Sequence, residues 1–535
     1  MKQSKVTLHP SYVVGDISPR LFGAFLEPIG SMVNGTMYNP KHPTADEQGF
    51  RGDVIEGLKK AGVPAVRLPG GNFVSGWRWK DSIGPKEERK QNLDLAWGQF
   101  IPNDVGHDEY LQWAEKIGAE AMYTINLGTG DLNDAIDIVE YTNFPGETYW
   151  SDLRIKNGHK DPYGVKVWYL GNEMDGPWQI ASYEKDPKGY GILAHEVSKV
   201  MKFTDPSIET VACVSSCPFL SHYPDWDRKV LEECYESVDY ISLHHYHSAP
   251  VGDIGALMAG VNAYEDYIRT EIALSDYMKT KYRSKHTMMI SLDEYASSWR
   301  EPKKSSWGLN GRLPASTFYQ FDPAKKFIHH DPDNMAAGGP PMLTGEVVSA
   351  VANASIGLLM LRHADRVKIG CATGGLSMYC ASNHDNVWKG ASYYTMTQLH
   401  EWAKGKSIMP VTETDTYHVD SYAIDDQNQY ADIDNVPYVT AAAAYDEEKG
   451  ELNVFVINGD WEEEHEFTMD IRGFGDYKLV ENLVMADDGT MERNSHGNQT
   501  LHCPRPVNDA KLENGIVSTV LKKLSWNVFR FEKAK

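Results

Sequence analysis

Two glutamates that follow apolar, strand-like segments have the chemistry that hydrolysis of a glycosidic bond requires. Glu173 ends the segment VKVWYLGNE, and Glu294 lies in the segment HTMMISLDEY. The reaction needs one carboxylic acid to protonate the leaving oxygen and one carboxylate to meet the oxocarbenium-like carbon. One site can hold both when its surroundings separate the two pKa values. A single glutamate at a strand end is more often a solvated boundary residue, but the pair predicts a glycoside hydrolase.

Eight apolar, β-branched segments alternate with stretches of helical periodicity, a pattern typical of a parallel sheet built from strand–helix units. The strand segments are LFGAFLE, AVRLPGGN, AMYTINLG, VKVWYLGNE, ETVACVSS, DYISLHHYH, TMMISLDEY and RVKIGCATGG. Helices are expected between them, for example in DEYLQWAEKIGA, GILAHEVSKVMKF and GEVVSAVANASIGLLMLRHA. The pattern predicts an α/β protein with a (β/α)₈ TIM barrel. All strands of such a barrel end on one face, so strands four and seven can bring Glu173 and Glu294 together.

The pattern changes after about residue 395 to alternating strands with turn signals, as in GELNVFVINGD, HEFTMDIRG and SWNVFRF. This part predicts an antiparallel β-sandwich. The expected division is 1–18 as an N-terminal strand that joins the sandwich, 19–394 as the catalytic barrel and 395–535 as the C-terminal β-sandwich. The segment 300–341 is rich in Gly, Pro and aromatic residues and predicts either a loop over the barrel mouth or an insertion without a catalytic role.

Composition narrows the class of ligand. The chain has 535 residues, a formal net charge of −23 and a pI of about 5.3. This acidic balance disfavours nucleic acid and anionic membranes as partners, and an uncharged sugar suits it better. The N-terminus MKQSKVTLHPSYVVGD has no signal-peptide-like apolar stretch, and no segment approaches about 18 uninterrupted apolar residues. We therefore expect a cytoplasmic protein. Its six cysteines are too few for a disulfide scaffold.

Histidines in the segment LHHYH raise the question of a metal site. Alternation along a strand separates His244 from His245 and His247, and no HExxH motif accompanies them. The same alternation points His244 and Tyr246 together toward the barrel mouth. The Gly-Gly pair of LPGGN lacks the Lys-Ser/Thr of a phosphate-binding loop. The sequence therefore predicts neither a metal nor another cofactor.

Several motifs, in this order, resemble those of the glycoside hydrolase family 51 α-L-arabinofuranosidases: FGAFLEPIG, VRLPGGNF, GWRWKDSIGP, LDLAWGQF, YLGNEMDGPWQ, DYISLHHY and LDEY. The resemblance spans nearly the whole barrel. It implies a (β/α)₈ barrel with a jelly-roll-like sandwich, retention of anomeric configuration and no metal. It also implies exo-acting release of terminal arabinofuranose from oligosaccharides or glycosides, and a homo-oligomer.

The resemblance assigns the two glutamates their roles, with Glu173 as the acid/base and Glu294 as the nucleophile. It makes Asn172 a hydrogen-bond donor to the sugar 2-hydroxyl, a contact that strengthens as charge builds on the neighbouring carbon. Glu27 and Asn72 match positions that hold the furanose hydroxyls.

Aromatic and imidazole groups complete the expected site. Tyr246 is expected to orient the nucleophile, and His244 to contact the sugar or support a group that does. Trp97, Trp178 and Trp299 lie near the motifs and are expected either to stack on sugar faces or to pack in the core.

Departures from the family pattern are expected to surround the sugar-binding pocket and therefore bear on the substrate. Gly374 stands in CATGGLS where the family commonly has Gln, Tyr295 and Ala296 replace a Trp-Asn pair, and LEPIG replaces LEHLG. A glycine at position 374 would enlarge the pocket and could admit galactofuranose. The alternatives are therefore a galactofuranosidase, a β-xylosidase or an endo-β-glucanase on the same barrel, or a carbohydrate-binding protein that has lost catalysis. The last is disfavoured because a binding module has no need of the glutamate pair.

Overall fold

Eight parallel strands close into a barrel in the computed structural model, which describes residues 1–302, 327–329, 346–424, 428–487, 489 and 491–534. Each strand pairs with its neighbour in chain order, and the eighth pairs with the first. The predicted (β/α)₈ barrel is thus confirmed, with Glu173 after the fourth strand and Glu294 in the seventh. The strands are Gly23–Phe25, Ala65–Leu68, Glu120–Ile125, Val167–Leu170, Glu209–Cys213, Tyr240–Pro250, Met289–Arg300 and Val367–Ala372.

Helices surround the barrel because its strands carry apolar side chains on both faces. One face fills the barrel interior with residues such as Phe25, Met122 and Ile369, and the other packs under the helices. The three helices predicted by periodicity form at His107–Ile117, Pro187–Thr204 and Val347–Arg362. The other α-helices that the structure describes are Gly52–Ala61, Leu132–Asn143, Tyr149–Lys156, Asp225–Cys234, Ile254–Tyr282, Gly375–Tyr379 and Ala391–Trp402.

Two sheets form the second domain and pack face to face through an apolar layer that includes Val6, Val454 and Phe529. The seven-stranded sheet runs, in spatial order, through Val13–Asp16, Lys406–Ile408, Val439–Asp446, Glu451–Asn458, Ser525–Lys533, Tyr477–Ala486 and Arg505–Pro506. The five-stranded sheet runs through Val411–Glu413, Lys2–Thr7, His465–Asp470, Ile516–Leu521 and Lys511–Glu513.

The first 16 residues supply one strand to each sheet, and one of these pairings departs from the prediction. Lys2–Thr7 pairs parallel to His465–Asp470, so the sandwich is not wholly antiparallel. Parallel pairing is possible here because the two strands are remote in the chain and no hairpin joins them. The domain boundaries at residues 18 and 394 remain predictions.

Smaller elements border the barrel and the sandwich. A three-stranded sheet joins Asn92–Asp94, Gln99–Ile101 and Ile328–His329, and two-stranded pairs join Ala381–Ser382 to Val387–Trp388, Thr416–Val419 to Ile433–Pro437, and Tyr422–Ala423 to Gln429–Tyr430. Short 3₁₀ turns lie at Asn72–Gly76, Trp79–Ser82, Lys86–Glu88 and Arg472–Phe474. Within the described ranges, no helix is long and apolar enough to cross a membrane.

The predicted loop at 300–341 lies mostly outside the described residues. Its described part includes Ile328–His329, which pairs with the strand Gln99–Ile101, and the His329 ring stacks on Phe100 with 4.2 Å between ring centroids. The six cysteines are all free thiols.

Candidate active site

Glu173 and Glu294 meet at the carboxyl ends of the barrel strands. One carboxylate oxygen of each, together with a ring nitrogen of His244, lies within 4.8 Å of the others. Retaining glycosidases place their two carboxyl groups about 5 to 5.5 Å apart, whereas inverting enzymes need about 6.5 to 9.5 Å for an intervening water. The observed spacing fits the retaining geometry.

Glu173 sits on a sharp turn directly after the fourth strand. Its φ of 44° lies in the left-handed region, which is unfavourable for a residue with a side chain and is found mostly where function demands it. The carboxylate receives the indole N–H of Trp178 at 2.6 Å and lies 3.0 Å from His244 Nδ1. Burial raises the pKa of Glu173, and the charge of Glu294 adds to the effect, while the hydrogen bonds from His244 and Trp178 oppose it. The raised pKa suits a general acid.

Two donors hold the carboxylate of Glu294 in place. Arg67 Nη1 donates to Oε1 at 2.6 Å, and the Tyr246 hydroxyl donates to Oε2 at 2.5 Å. Tyr246 Oη also lies 3.0 Å from the hydroxyl of Thr373, at the end of the eighth strand. The carboxylate is therefore oriented on both oxygens, as a nucleophile aimed at one carbon must be.

His244 lies between the carboxylates. Its Nδ1 faces Glu173, and its Nε2 lies 3.3 Å from Asp293 Oδ2. Burial alone would lower the pKa of His244, but the surrounding carboxylates, Glu294 first among them, raise it to about 10. By atom type, His244 and the two glutamates could ligate a cation. Both ring nitrogens already face carboxylate oxygens at hydrogen-bond distance, an arrangement that favours a hydrogen-bonded imidazolium at this position.

Glu27 lies beside the loop that follows the second strand and hydrogen-bonds its backbone. Its Oε1 accepts the backbone N–H groups of Gly71 at 3.2 Å and Phe73 at 2.9 Å. Burial, followed by the charge of Glu294, raises the pKa of Glu27 to about 8, although hydrogen bonds from Phe73 and Trp97 lower it. Glu27 is therefore largely neutral at pH 7 and can donate as well as accept hydrogen bonds.

Three side-chain amides connect the two halves of the site. Asn172 donates to Asn72 Oδ1 at 2.9 Å, and Gln179 donates to the same oxygen at 2.9 Å. Arg67 Nη2 donates to Asn172 Oδ1 at 2.6 Å. The absence of a side chain at Gly71 allows its backbone to lie close to Glu294, because a Cβ there would lie 2.9 Å from Glu294 Oε1.

The residues expected from the sequence occupy this one region in nearly every case. Trp178 contacts Glu173 directly, and Trp97, 36% exposed at the rim, reaches Glu27. Trp299 packs in the main hydrophobic core, one of the two roles considered for it. Tyr295 was expected to border the pocket and instead packs in the same core, because neighbours along a strand face opposite ways.

Position 374 borders the site through its neighbour. Gly374 has a φ of 73° and precedes the short helix Gly375–Tyr379, directly after the Thr373 that contacts Tyr246. The enlarged pocket at Gly374 remains a prediction.

Three charged or amide side chains that contribute to the site were not predicted: Arg67, Asp293 and Gln179. Arg67 and Asp293 are fully buried, and Arg67 Nε lies 3.0 Å from Asp293 Oδ2. The sequence did contain a signal for these two residues, because each is a charged residue inside an otherwise apolar strand. A buried charge needs a buried partner, so the two charges could have been expected to pair. Gln179 ends the motif GNEMDGPWQ, and nothing in its type or spacing marks it out.

Known proteins match this chain over its whole length. Residues 57–269 match the model of the "Alpha-L-arabinofuranosidase 1 domain", and residues 293–525 match that of the "Alpha-L-arabinofuranosidase C-terminal domain". The chain is 35% identical to an intracellular exo-α-(1→5)-L-arabinofuranosidase of Acetivibrio thermocellus, with full coverage of both proteins. It is 36% identical to intracellular exo-α-(1→5)-L-arabinofuranosidase 1 of Bacillus subtilis, again with full coverage of both.

Solved structures show the same likeness in three dimensions. A family 51 α-L-arabinofuranosidase from Bifidobacterium longum superposes with a TM-score of 0.83 at 29% identity, covering 99% of this chain and all of that one. The arabinose complex of an α-L-arabinofuranosidase from Thermotoga maritima superposes with a TM-score of 0.82 at 26% identity and the same coverage.

Proposed function

The chain belongs to glycoside hydrolase family 51, the α-L-arabinofuranosidases, and we propose that it releases terminal α-L-arabinofuranose with Glu294 as nucleophile and Glu173 as acid/base. The enzyme is an exo-acting, retaining glycoside hydrolase. The observation that carries the assignment of roles is the pair of carboxylates within 4.8 Å, one held by two donors and the other with a raised pKa.

In the first step, Glu294 attacks the anomeric carbon and forms a covalent glycosyl ester. At the same time Glu173 gives its proton to the departing glycosidic oxygen, so the aglycone leaves as a neutral alcohol. The hydrogen bonds from Arg67 and Tyr246 to Glu294 weaken as the carboxylate loses its negative charge to the new bond. His244 keeps its positive charge beside both carboxylates.

In the second step, the ionised Glu173 takes a proton from water, and that water attacks the anomeric carbon. The bond to Glu294 breaks, and arabinose leaves with its configuration retained. The hydrogen bonds from Trp178 and His244 stabilise the ionised form of Glu173 that this step requires. The same side chain therefore serves as acid and then as base.

We propose short α-(1→5)-linked arabino-oligosaccharides, met inside the cell, as the substrate. Support comes from relatives at 35 to 36% identity that are named intracellular exo-α-(1→5)-L-arabinofuranosidases. A relative from Bifidobacterium longum at 33% identity is named an exo-α-(1→6)-L-arabinofuranosidase, so the linkage is a point to test. Comparing rates on α-(1→5)- and α-(1→6)-linked arabinobiose decides it, and a preference for the second would refute the proposed linkage. The homo-oligomeric state remains a prediction.

The first test is the initial rate on 4-nitrophenyl α-L-arabinofuranoside, β-D-galactofuranoside, β-D-xyloside and β-D-glucoside. We expect the arabinofuranoside to dominate, and dominance of another sugar would refute the proposal. Glu294→Ala should lose turnover by about 10⁴-fold or more while still binding arabinose. Glu115→Ala, at a half-exposed helix position, is the control and should keep wild-type rates.

Glu173 has a separate signature. Glu173→Ala should still form the glycosyl ester from a 4-nitrophenyl substrate, because that leaving group needs no proton, and should hydrolyse the ester slowly. Added azide should then restore turnover and yield a glycosyl azide of retained configuration. Restoration with inverted configuration would exchange the proposed roles of the two glutamates.

A further inference from the structure

We propose that Gln179 is a positioning residue that determines which end of the Asn72 amide, the oxygen or the NH₂ group, meets the sugar. Its role is to hold Asn72 Oδ1 inward, so that Asn72 presents its NH₂ group to a substrate hydroxyl. This inference rests on the proposed function, because it concerns recognition of the same glycone.

The orientation of Gln179 is determined by the backbone. Its Oε1 accepts the N–H of Ile180 at 3.0 Å, and its Nε2 donates to the carbonyl of Asn172 at 2.5 Å. A backbone N–H can only donate and a carbonyl can only accept, so the Gln179 amide cannot be turned over without losing both bonds. The one remaining Nε2 hydrogen points at Asn72 Oδ1, 2.9 Å away. Gln179 is also 4% exposed, so water does not readily replace these partners.

A second, independent chain of hydrogen bonds reaches the same oxygen. Arg67 has only donors, so its 2.6 Å contact makes the facing atom of Asn172 the acceptor Oδ1. The Nδ2 of Asn172 then donates to Asn72 Oδ1 at 2.9 Å. Two donors with fixed orientation thus converge on Asn72 Oδ1. The Asn72 amide is set by its neighbours before any sugar binds.

The remaining atom of that amide is Nδ2, which has no hydrogen-bond partner among the described residues. Asn72 is partly exposed, and its backbone is held by Glu27 through the N–H groups of Gly71 and Phe73 on either side. The donor is therefore held rigidly, and the sugar group that meets it must accept a hydrogen bond. Preorganisation of this kind contributes to affinity because no amide has to be reoriented on binding.

A double-mutant cycle in kcat/KM for 4-nitrophenyl α-L-arabinofuranoside tests the inference. Gln179→Met, which keeps the length of the side chain and removes its hydrogen bonds, should lower kcat/KM roughly tenfold to a hundredfold. If Gln179 acts through Asn72, the same substitution should have an effect of less than about threefold in an Asn72→Ala background. Equal effects in the two backgrounds would overturn the inference, and so would wild-type kcat/KM in Gln179→Met.

The variant Gln179→Glu should have a pH-dependent effect on kcat/KM that is not expected if Gln179 has only a structural role. The ionised carboxylate has only acceptors and repels Asn72 Oδ1, whereas the protonated form regains one donor. The ratio of variant to wild-type kcat/KM should therefore rise at least severalfold as the pH is lowered from 8 to about 5. The same ratio for Gln179→Met should stay level, and a level ratio for both variants would refute the inference.

Failure of the proposed function is distinguishable from failure of this inference. A wild-type enzyme that ignores arabinofuranosides refutes the former. An active wild type with additive Gln179 and Asn72 effects refutes only the latter. Thermal unfolding of each variant, with a midpoint near that of the wild type, establishes that folded proteins are being compared.

Discussion

Replacing Glu27 by Gln should make the protein more stable at alkaline pH while impairing activity. Glu27 is 4% exposed, and its burial beside Glu294 raises its pKa from 4.5 to about 8. The folded state thus holds a proton that the unfolded chain releases. Stability is lost as the pH rises from about 4.5 to about 8, and the full penalty applies above pH 8. Gln keeps an oxygen for the N–H groups of Gly71 and Phe73 without the charge.

The size of the effect follows from the two pKa values. The difference between 4.5 and about 8, at about 1.4 kcal/mol for each pH unit, corresponds to about 5 kcal/mol. For 535 residues that unfold together, the entropy of unfolding is about 1.1 kcal/mol/K. The variant should therefore gain up to about 4 °C in its thermal midpoint above pH 8, relative to its difference from wild type at pH 4.

Differential scanning calorimetry of both proteins from pH 4 to 9 measures this difference. The advantage of Glu27→Gln should grow between about pH 4.5 and pH 8 and level off above pH 8. Glu56→Gln, at an exposed helix position, is the matched control and should show no such growth. An advantage that stays constant or shrinks as the pH rises would refute the claim that Glu27 carries a burial penalty.

Two further predictions concern Glu173 and the loop beside Glu294. Trp178→Phe removes a hydrogen bond that lowers the pKa of Glu173, so the alkaline limb of the pH profile of kcat/KM should move upward. A downward shift would contradict this. Gly71→Ala places a Cβ 2.9 Å from Glu294 Oε1 and should lower kcat/KM about tenfold to a hundredfold. Gly497→Ala, which meets only open space, should not, and equal losses would contradict the steric argument.

The barrel and the positions of its two glutamates were predictable because both follow from local sequence patterns. Strand segments such as VKVWYLGNE are apolar runs of strand length, and the intervening helices show their own period. Barrel closure then places every strand end on one face. Sequence position alone therefore indicated that Glu173 and Glu294 would converge.

The second domain was harder to predict because one of its inner strands is buried on both faces. In Val439–Asp446, Ala441 and Ala443 face the interior of the sandwich, while Ala442 and Ala444 face the core shared with the barrel. Burial on both sides removes the alternation that marks a half-buried strand. The parallel pairing of Lys2–Thr7 likewise depends on strands that are far apart in the chain.

The sequence by itself determined the barrel, the sheet-rich second domain and the residue types that can carry out glycoside hydrolysis, because apolar periodicity and strand ends are local properties of the chain. Only the tertiary structure decided the charge and hydrogen-bond state of the site. The pKa of His244, the two donors on Glu294 and the inward oxygen of Asn72 each depend on partners such as Arg67 and Gln179. Electrostatic interactions and hydrogen bonds depend on distances between side chains that are remote in the chain, and folding alone sets those distances.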